Sequence, residues 1–417
     1  MYKTMPYASF FLCAAILIHG AFGTPTPDAA GFAEILIGTL LVITVGAGSL
    51  YGLIHHISAT GWVRSGQYLL IYGVSLPLLV GLTAGHNLSL VLRDIIPFLF
   101  MLMPLFFRHT LENAGQGRVR LVLTLAIAGA GFLFAARVIV PFLHYSYEKG
   151  VRALAPADPF YLANAPTVFF AALMLLGMAG IFLYRGGVSV RMVLTALGLV
   201  SLSLVPLSAM MLVEQRASAG AIILSCLILV GIGMVKKPGR MVPVFLALAL
   251  AVMAGWDTLY FLASSLTEKT SIVGFNSRAQ EMAAIVKSVW GSPWAVLFGK
   301  GWGATFESPA VGGIRVNFTH SLLTTYFLKT GLLGLALVGF YLVRLGLLLW
   351  PVLWRYPLIA LAIGAPFAID VFLYASFKSL DFGFLLMLIP MWAAIRQPLL
   401  QPQPTYSMQD QPQDQSK

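Results

Sequence analysis

The sequence predicts an all-α integral membrane protein. Hydrophobic residues make up 59% of its 417, charged residues only 10%, and the mean hydropathy is +0.87. A water-soluble domain carries roughly 25% charged residues, because its surface has to be solvated. Here lipid is the solvent for most of the surface, and lipid admits only structures that satisfy every backbone group internally. Apolar runs of about twenty residues meet that demand as helices.

About twelve such runs are legible: 7–22, 31–54, 67–84, 91–107, 121–143, 164–184, 192–213, 217–235, 241–264, 320–347, 357–376 and 380–395. The first is read as a retained span rather than a cleaved signal peptide. One bundle over 1–396 thus accounts for nearly the whole chain, and the Gln/Pro-rich stretch 397–417 reads as a disordered cytoplasmic tail. Cys13 and Cys226 both fall in apolar runs, which argues against a disulfide framework or a thiolate metal site.

The formal net charge of +11 would suggest nucleic acid in a soluble protein. With the N-terminus in the cytoplasm and the spans alternating, about fourteen cations fall on the cytoplasmic side, among them Arg64, Arg118, Arg120, Lys236 and Lys237. That side then holds essentially all of the excess. The basic loops are topology determinants, and no nucleic-acid partner is expected.

A remainder of cations lies on the other side, where topology does not account for them. These are Arg137, Arg216, Arg278, Lys287, Lys300 and Arg315, with Lys329 inside a span. A cation at mid-membrane costs at least about 2.5–3.5 kcal/mol unless it faces a partner or a cavity. Lys329 and Arg137 are therefore expected to face the interior. Arg216 has two readings: a Glu214–Arg216 pair capping a tight turn, or a guanidinium at the mouth between two closely packed helices, which Ala217-Ser218-Ala219-Gly220 would permit.

The long hydrophilic segment 266–319 exceeds an ordinary connector and is where function is expected to gather. Asn276 or Ser277 is placed to cap a helix over Arg278 to Trp290, with Met282, Ile285 and Val289 on one side and Trp290 as an anchor at the membrane–water boundary. Gly299-Lys300-Gly301-Trp302-Gly303 reads as a turn or as a backbone surface that touches substrate. His320 stands where this segment meets the next span. Imidazole titrates around neutral pH, so His320 is either an interfacial polar group or a general base. No His-Glu-x-x-His, carboxylate cluster at ligand spacing or Gly-x-Ser-x-Gly elbow competes with it, so metal catalysis is not expected.

His320-Ser321, nine residues, Gly331, two residues and Gly334 resemble the signature of the bacterial O-antigen ligases, whose relatives include the O-antigen polymerases. The arginine that opens an amphipathic helix at Arg278 and the Gly-rich turn before the histidine are similar as well. The resemblance implies a GT-C-like fold of about twelve spans with one large periplasmic loop. It implies a metal-independent, inverting glycosyltransferase of the bacterial inner membrane with no cofactor. The donor would be a glycan on undecaprenyl pyrophosphate and the acceptor the lipid A–core oligosaccharide. His320 would be the catalytic histidine, and Arg216 and Arg278 the pyrophosphate-binding arginines. Arg137, Lys300, Arg315 and Lys329 remain candidate substrate contacts. The alternatives are a repeat-unit polymerase, a ligase for another acceptor and, from a different class, a lipid or anion transporter.

Overall fold

The structure is a computed structural model that describes residues 7–24, 31–55, 57–58, 60–114, 117–144, 158–186, 189–213, 215–246, 253 and 278–394. It is overwhelmingly helical. The helices are α1 (Tyr7–Phe22), α2 (Phe32–Val45), α3 (Ala47–His55), α4 (Gly61–Thr83), α5 (Leu88–Met101), α6 (Met103–Phe106), α7 (Arg108–Ala114), α8 (Arg118–His144), α9 (Asp158–Ala163), α10 (Pro166–Gly186), α11 (Val190–Leu212) and α12 (Arg216–Lys236). There follow α13 (Arg278–Trp290), α14 (Pro293–Phe298), the antiparallel strands β1 (Phe306–Ser308) and β2 (Ile314–Val316), then α15 (Leu322–Gly346), α16 (Leu349–Arg355), α17 (Pro357–Phe372) and α18 (Leu380–Ala393).

Among the described residues six helical stretches are long and apolar enough to cross a membrane: Gly61–Thr83, Arg118–Pro141, Pro166–Tyr184, Val190–Leu212, Arg216–Lys236 and Leu322–Arg355. Shorter apolar helices are α1, α2, α17 and α18. This is an all-α membrane protein. Three of the expected runs are broken rather than continuous, 320–347 at Gly331 and two others earlier in the chain. The 31–54 run divides at Gly46, which takes φ 70°, and 91–107 divides at Leu102, just after a helix that contains Pro97. Most of 241–264 lies outside the described residues, as do Glu214, the capping candidates Asn276 and Ser277, and the tail 397–417.

The core is built around α18, whose residues from Leu380 to Ile389 are all buried. A helix apolar all round belongs inside a bundle, and α18 packs against α5, α6, α8, α10 and α17. Its entry is fixed by a polar clamp. Asp381 accepts from Thr167 Oγ1 at 2.6 Å and faces His19 Nε2 at 2.9 Å, so α1, α10 and α18 meet at one buried carboxylate. Arg137 is also an organiser of α1: its Nη1 donates to the carbonyls of Gly23 (2.7 Å) and Gly20 (3.3 Å). A guanidinium at a helix C-terminus satisfies carbonyls that have no intrahelical donor.

The part that positions the site is the meeting of α4, α15 and the glycine turn 299–303. Helix α15 is interrupted at Gly331, which sits at φ 65°. Its backbone also passes so close to Gly299 and Leu297 that a Cβ would meet their main-chain atoms at 2.4–2.5 Å. The break frees three carbonyls inside the bundle. Leu328 O accepts from Lys300 N at 2.9 Å, Lys329 O from Gly301 N at 3.0 Å, and Thr330 O from the Tyr72 hydroxyl at 2.7 Å. The turn is therefore the hydrogen-bonding complement of the broken helix. On its other side Trp302 does the same for α4. Pro77 has no N–H to give Gly73, and the Gly73 carbonyl takes the Trp302 indole Nε1–H at 2.7 Å.

Candidate functional site

Helix α13 forms over the residues its pattern predicts, but its buried stripe differs from the expected one. Glu281, Ile285 and Val289 face inward at i, i+4 and i+8, while Met282 is 55% exposed and shares the open side with Val286 and Trp290. The inward stripe packs on β1, α14 and α15, which holds a carboxylate rather than a thioether against the protein.

That carboxylate meets the histidine. His320 Nδ1 lies 3.1 and 3.2 Å from the two Glu281 oxygens, and the His320 main-chain N–H donates to Glu281 Oε2 at 3.1 Å. Ser308, at the end of β1, donates its hydroxyl to Glu281 Oε1 at 3.0 Å. Burial alone would raise the Glu281 carboxyl; the hydrogen bonds and charge of His320, and the Ser308 hydroxyl, outweigh it and hold the group below its ordinary value. An ionised Glu281 accepts a hydrogen bond from Nδ1–H, a tautomer that leaves the Nε2 lone pair of a neutral imidazole able to take a proton. The His320 side chain is 35% exposed while Glu281 is buried, so the imidazole faces open space and its orienting partner does not.

The two arginines gather at the adjoining corner, where α17 ends. Arg278 begins α13, three residues before Glu281 and so on the same face. Its guanidinium lies 5.9 Å from the ring centre of Tyr374. Arg216 begins α12, which packs on α17 and whose first turns bury Ser218 and Ala219. Tyr374 lies within electrostatic reach of both guanidiniums and in hydrogen-bonding range of the Ala217 main chain. The His320 segment is tied to the same corner, since Ser321 Oγ donates to Val371 O at 3.3 Å. Arg278, Arg216, Glu281 and His320 thus surround one end of α17.

The corner is not electrostatically complete. Gln215 Nε2, Arg278 Nε and Asp370 Oδ2 are buried polar atoms without a hydrogen-bond partner among the described residues. Each such atom costs about 1–3 kcal/mol. Native proteins keep few of them, and here Arg278 and Asp370 both lie near Tyr374.

The remaining predicted cations go elsewhere. Lys329 has a fully buried side chain whose ammonium is bound by Asp94 of α5 and by the Ala304 carbonyl. Asp94 also accepts the Gly303 N–H at 2.7 Å, so the Lys329 charge locks the glycine turn to α5 and α15. Lys378, in the turn before α18, completes this cluster 3.8 Å from Asp94 Oδ1 and 5.5 Å from the centre of the Phe318 ring. Burial brings its ammonium down to about 8, despite the opposing charge of Asp94. Lys300 donates to Ser288 Oγ at 2.7 Å, near the far end of α13, and Arg315 sits in β2 opposite Glu307.

Sequence reading missed Glu281, Ser308, Tyr374, Gln215, Asp370 and the Asp94–Lys378 pair. Two signals were present. Glu281 is the one acid of the 278–290 helix and lies at i+3 from Arg278. Asp94, Asp370 and Asp381 are acids within apolar runs, where a charge implies a partner or a function.

Comparison of the chain with family models, with curated proteins and with solved structures returns no match. The functional reading therefore rests on the motif and on this geometry.

Proposed function

We propose that this protein is a membrane glycosyltransferase of the O-antigen ligase type. It moves a glycan from undecaprenyl pyrophosphate to lipid A–core oligosaccharide at the periplasmic face of the bacterial inner membrane, with about twelve spans in all. The observation that carries the reading is the meeting of a carboxylate-held imidazole with two arginines at one corner of the bundle.

In this reading His320 Nε2 takes the proton of the acceptor hydroxyl as its oxygen attacks the anomeric carbon. The bond from that carbon to the phosphate oxygen breaks, and its electron pair leaves with the pyrophosphate. Arg278 and Arg216 neutralise the charge that grows there. The planar guanidinium fork matches phosphate oxygens, and fixed donors favour the charge-separated transition state over the ground state. Glu281 keeps the imidazole in the right tautomer and stabilises the imidazolium that forms, as a buried carboxylate does in a hydrolase triad. A base and a leaving-group clamp on separate residues imply single displacement, with inversion at the anomeric carbon.

The test is a transfer assay with full-length protein, supported by lipopolysaccharide profiles of cells. His320→Ala and Arg216→Ala are expected to remain inserted and to leave lipid-linked polymer unattached. Surface lipopolysaccharide that still carries full-length O-antigen in either variant sinks the proposal. Cores that bear a single repeat would instead indicate a polymerase.

A further inference from the structure

The His320 imidazole has an aromatic neighbour that takes no part in the proton transfer. The chain enters α15 through Asn317-Phe318-Thr319-His320, and burial alternates along it. Asn317 and Thr319 are buried, whereas Phe318 and His320 are each half-buried. Such alternation, as in a strand, places Phe318 and His320 on one side of the chain. Their ring centres are 6.3 Å apart, with the planes at 67°. Thr319 anchors the backbone between them: its hydroxyl donates to Ser321 O at 2.8 Å and lies 2.6 and 2.9 Å from those of Thr324 and Thr325.

Phe318 is not a core residue. Among the described residues it belongs to neither hydrophobic cluster, nor to the side chains packed against them. Its ring is held instead by Lys378, whose ammonium lies 5.5 Å from the ring centre, within reach of the attraction between a cation and a π face. A single half-open phenylalanine means little by itself. What sets Phe318 apart is that its fixed ring and the imidazole form one continuous surface.

We propose that Phe318 is the platform on which the acceptor sugar stacks, so that one of its hydroxyls meets His320. The proposal rests on the transferase reading above. A pyranose carries C–H groups on its faces and hydroxyls around its rim. The C–H hydrogens are slightly positive and settle on the negative face of an aromatic ring. The attacking hydroxyl has to come within about 2.6–3.2 Å of the base. A sugar lying on the phenyl ring meets that condition only with its rim turned to the imidazole, which singles out one hydroxyl. Position favours the acceptor over the donor. The cation beside the Phe318 ring is Lys378, whereas Arg278 stands beside Tyr374. The leaving pyrophosphate belongs with the arginines and the attacking oxygen with the base, so a ring fixed to the base serves the sugar that brings the nucleophile.

Binding and transfer are measured separately. Full-length protein in detergent is titrated with core oligosaccharide freed of its lipid. Phe318→Leu is expected to weaken binding about ten-fold, and Phe318→Tyr, which keeps the ring, to bind as the unchanged protein does. In the transfer assay Phe318→Leu raises the KM for the acceptor and leaves the KM for the donor in place, which shows that the variant is folded. Phe318→Trp gives a readout that needs no truncated side chain. Its fluorescence should respond to core oligosaccharide beyond the response of the unchanged protein, and not to undecaprenyl pyrophosphate. Equal affinity of Phe318→Leu and the unchanged protein overturns the proposal, as does a rise in the donor KM instead or a Phe318→Trp emission indifferent to the oligosaccharide. Ring-dependent binding of the oligosaccharide by a protein that transfers nothing supports the platform and removes the transferase reading.

Discussion

Two clusters of charge occupy the same end of this molecule and are built on different principles. At Asp94–Lys329 the charges are paired inside the bundle: Asp94 Oδ2 takes an ammonium and a main-chain N–H, the ammonium takes a carbonyl as well, and Asp94 Oδ1, without a hydrogen-bond partner among the described residues, lies 3.8 Å from the Lys378 ammonium. At His320–Glu281–Arg278–Arg216 the anchoring carboxylate is buried, yet the imidazole is partly open and three neighbouring polar atoms have no hydrogen-bond partner among the described residues. The first arrangement uses its charge to hold the glycine turn in place. The second leaves the imidazole partly open to the space outside the protein. Residue type does not separate the two; exposure does, since the Lys329 and Asp94 side chains are closed off from solvent while that of His320 is 35% exposed.

Removing one member of the closed cluster should be the most damaging change. Lys329→Met leaves Asp94 charged and buried without its main partner, at a cost of about 3–5 kcal/mol. Thermal unfolding in detergent should show that loss, and Asp94→Asn combined with Lys329→Met should recover much of it. A Lys329→Met protein as stable as the unchanged one would make the closed cluster dispensable and the contrast empty. His320→Ala should do the opposite, with melting unchanged and transfer lowered by about 10²–10⁴-fold, the range of a lost general base.

Glu281→Gln sharpens the comparison, because it keeps shape and removes charge. Transfer is expected to fall by roughly ten- to a hundred-fold as the tautomer control weakens. A carboxyl held below its ordinary value, about 4.5, stabilises the fold above that value and loses the contribution as pH falls through its own lowered pKa. The unchanged protein and Glu281→Gln should therefore melt furthest apart near pH 7 and converge in acid. A gap that stays constant with pH would show that the Glu281 charge is not what the pairing uses. The smallest effect is expected at Trp302→Phe, where loss of the indole bond to Gly73 O costs about 1 kcal/mol and transfer changes little.

Some of this was legible beforehand. The amphipathic helix over Arg278–Trp290 follows from its period, its last residue included. The expectation that Lys329 and Arg137 face inward follows from the cost of charge in lipid, and the structure gives both of them partners inside the bundle. Which side of the 278–290 helix turns inward was not legible. An apolar face suffices to say that a helix lies on something, but Glu281 is buried because His320 and Ser308 are there to satisfy it. Those partners lie 39 and 27 residues further along the chain.

The sequence by itself determined the solvent. So few charges over so many residues leave lipid-exposed helices as the economical solution, and they mark the cations that topology does not use. It also marked His320, Gly331 and Gly334 as a pattern, although not what the glycines do. Only the tertiary structure decided that Gly331 breaks α15, that the broken carbonyls are filled by the 299–303 turn, and that His320 is held by Glu281. Composition reports a sum over residues, which local order cannot change. A hydrogen bond is a pairwise, directional match between groups far apart in the chain, and it exists only once the helices have packed.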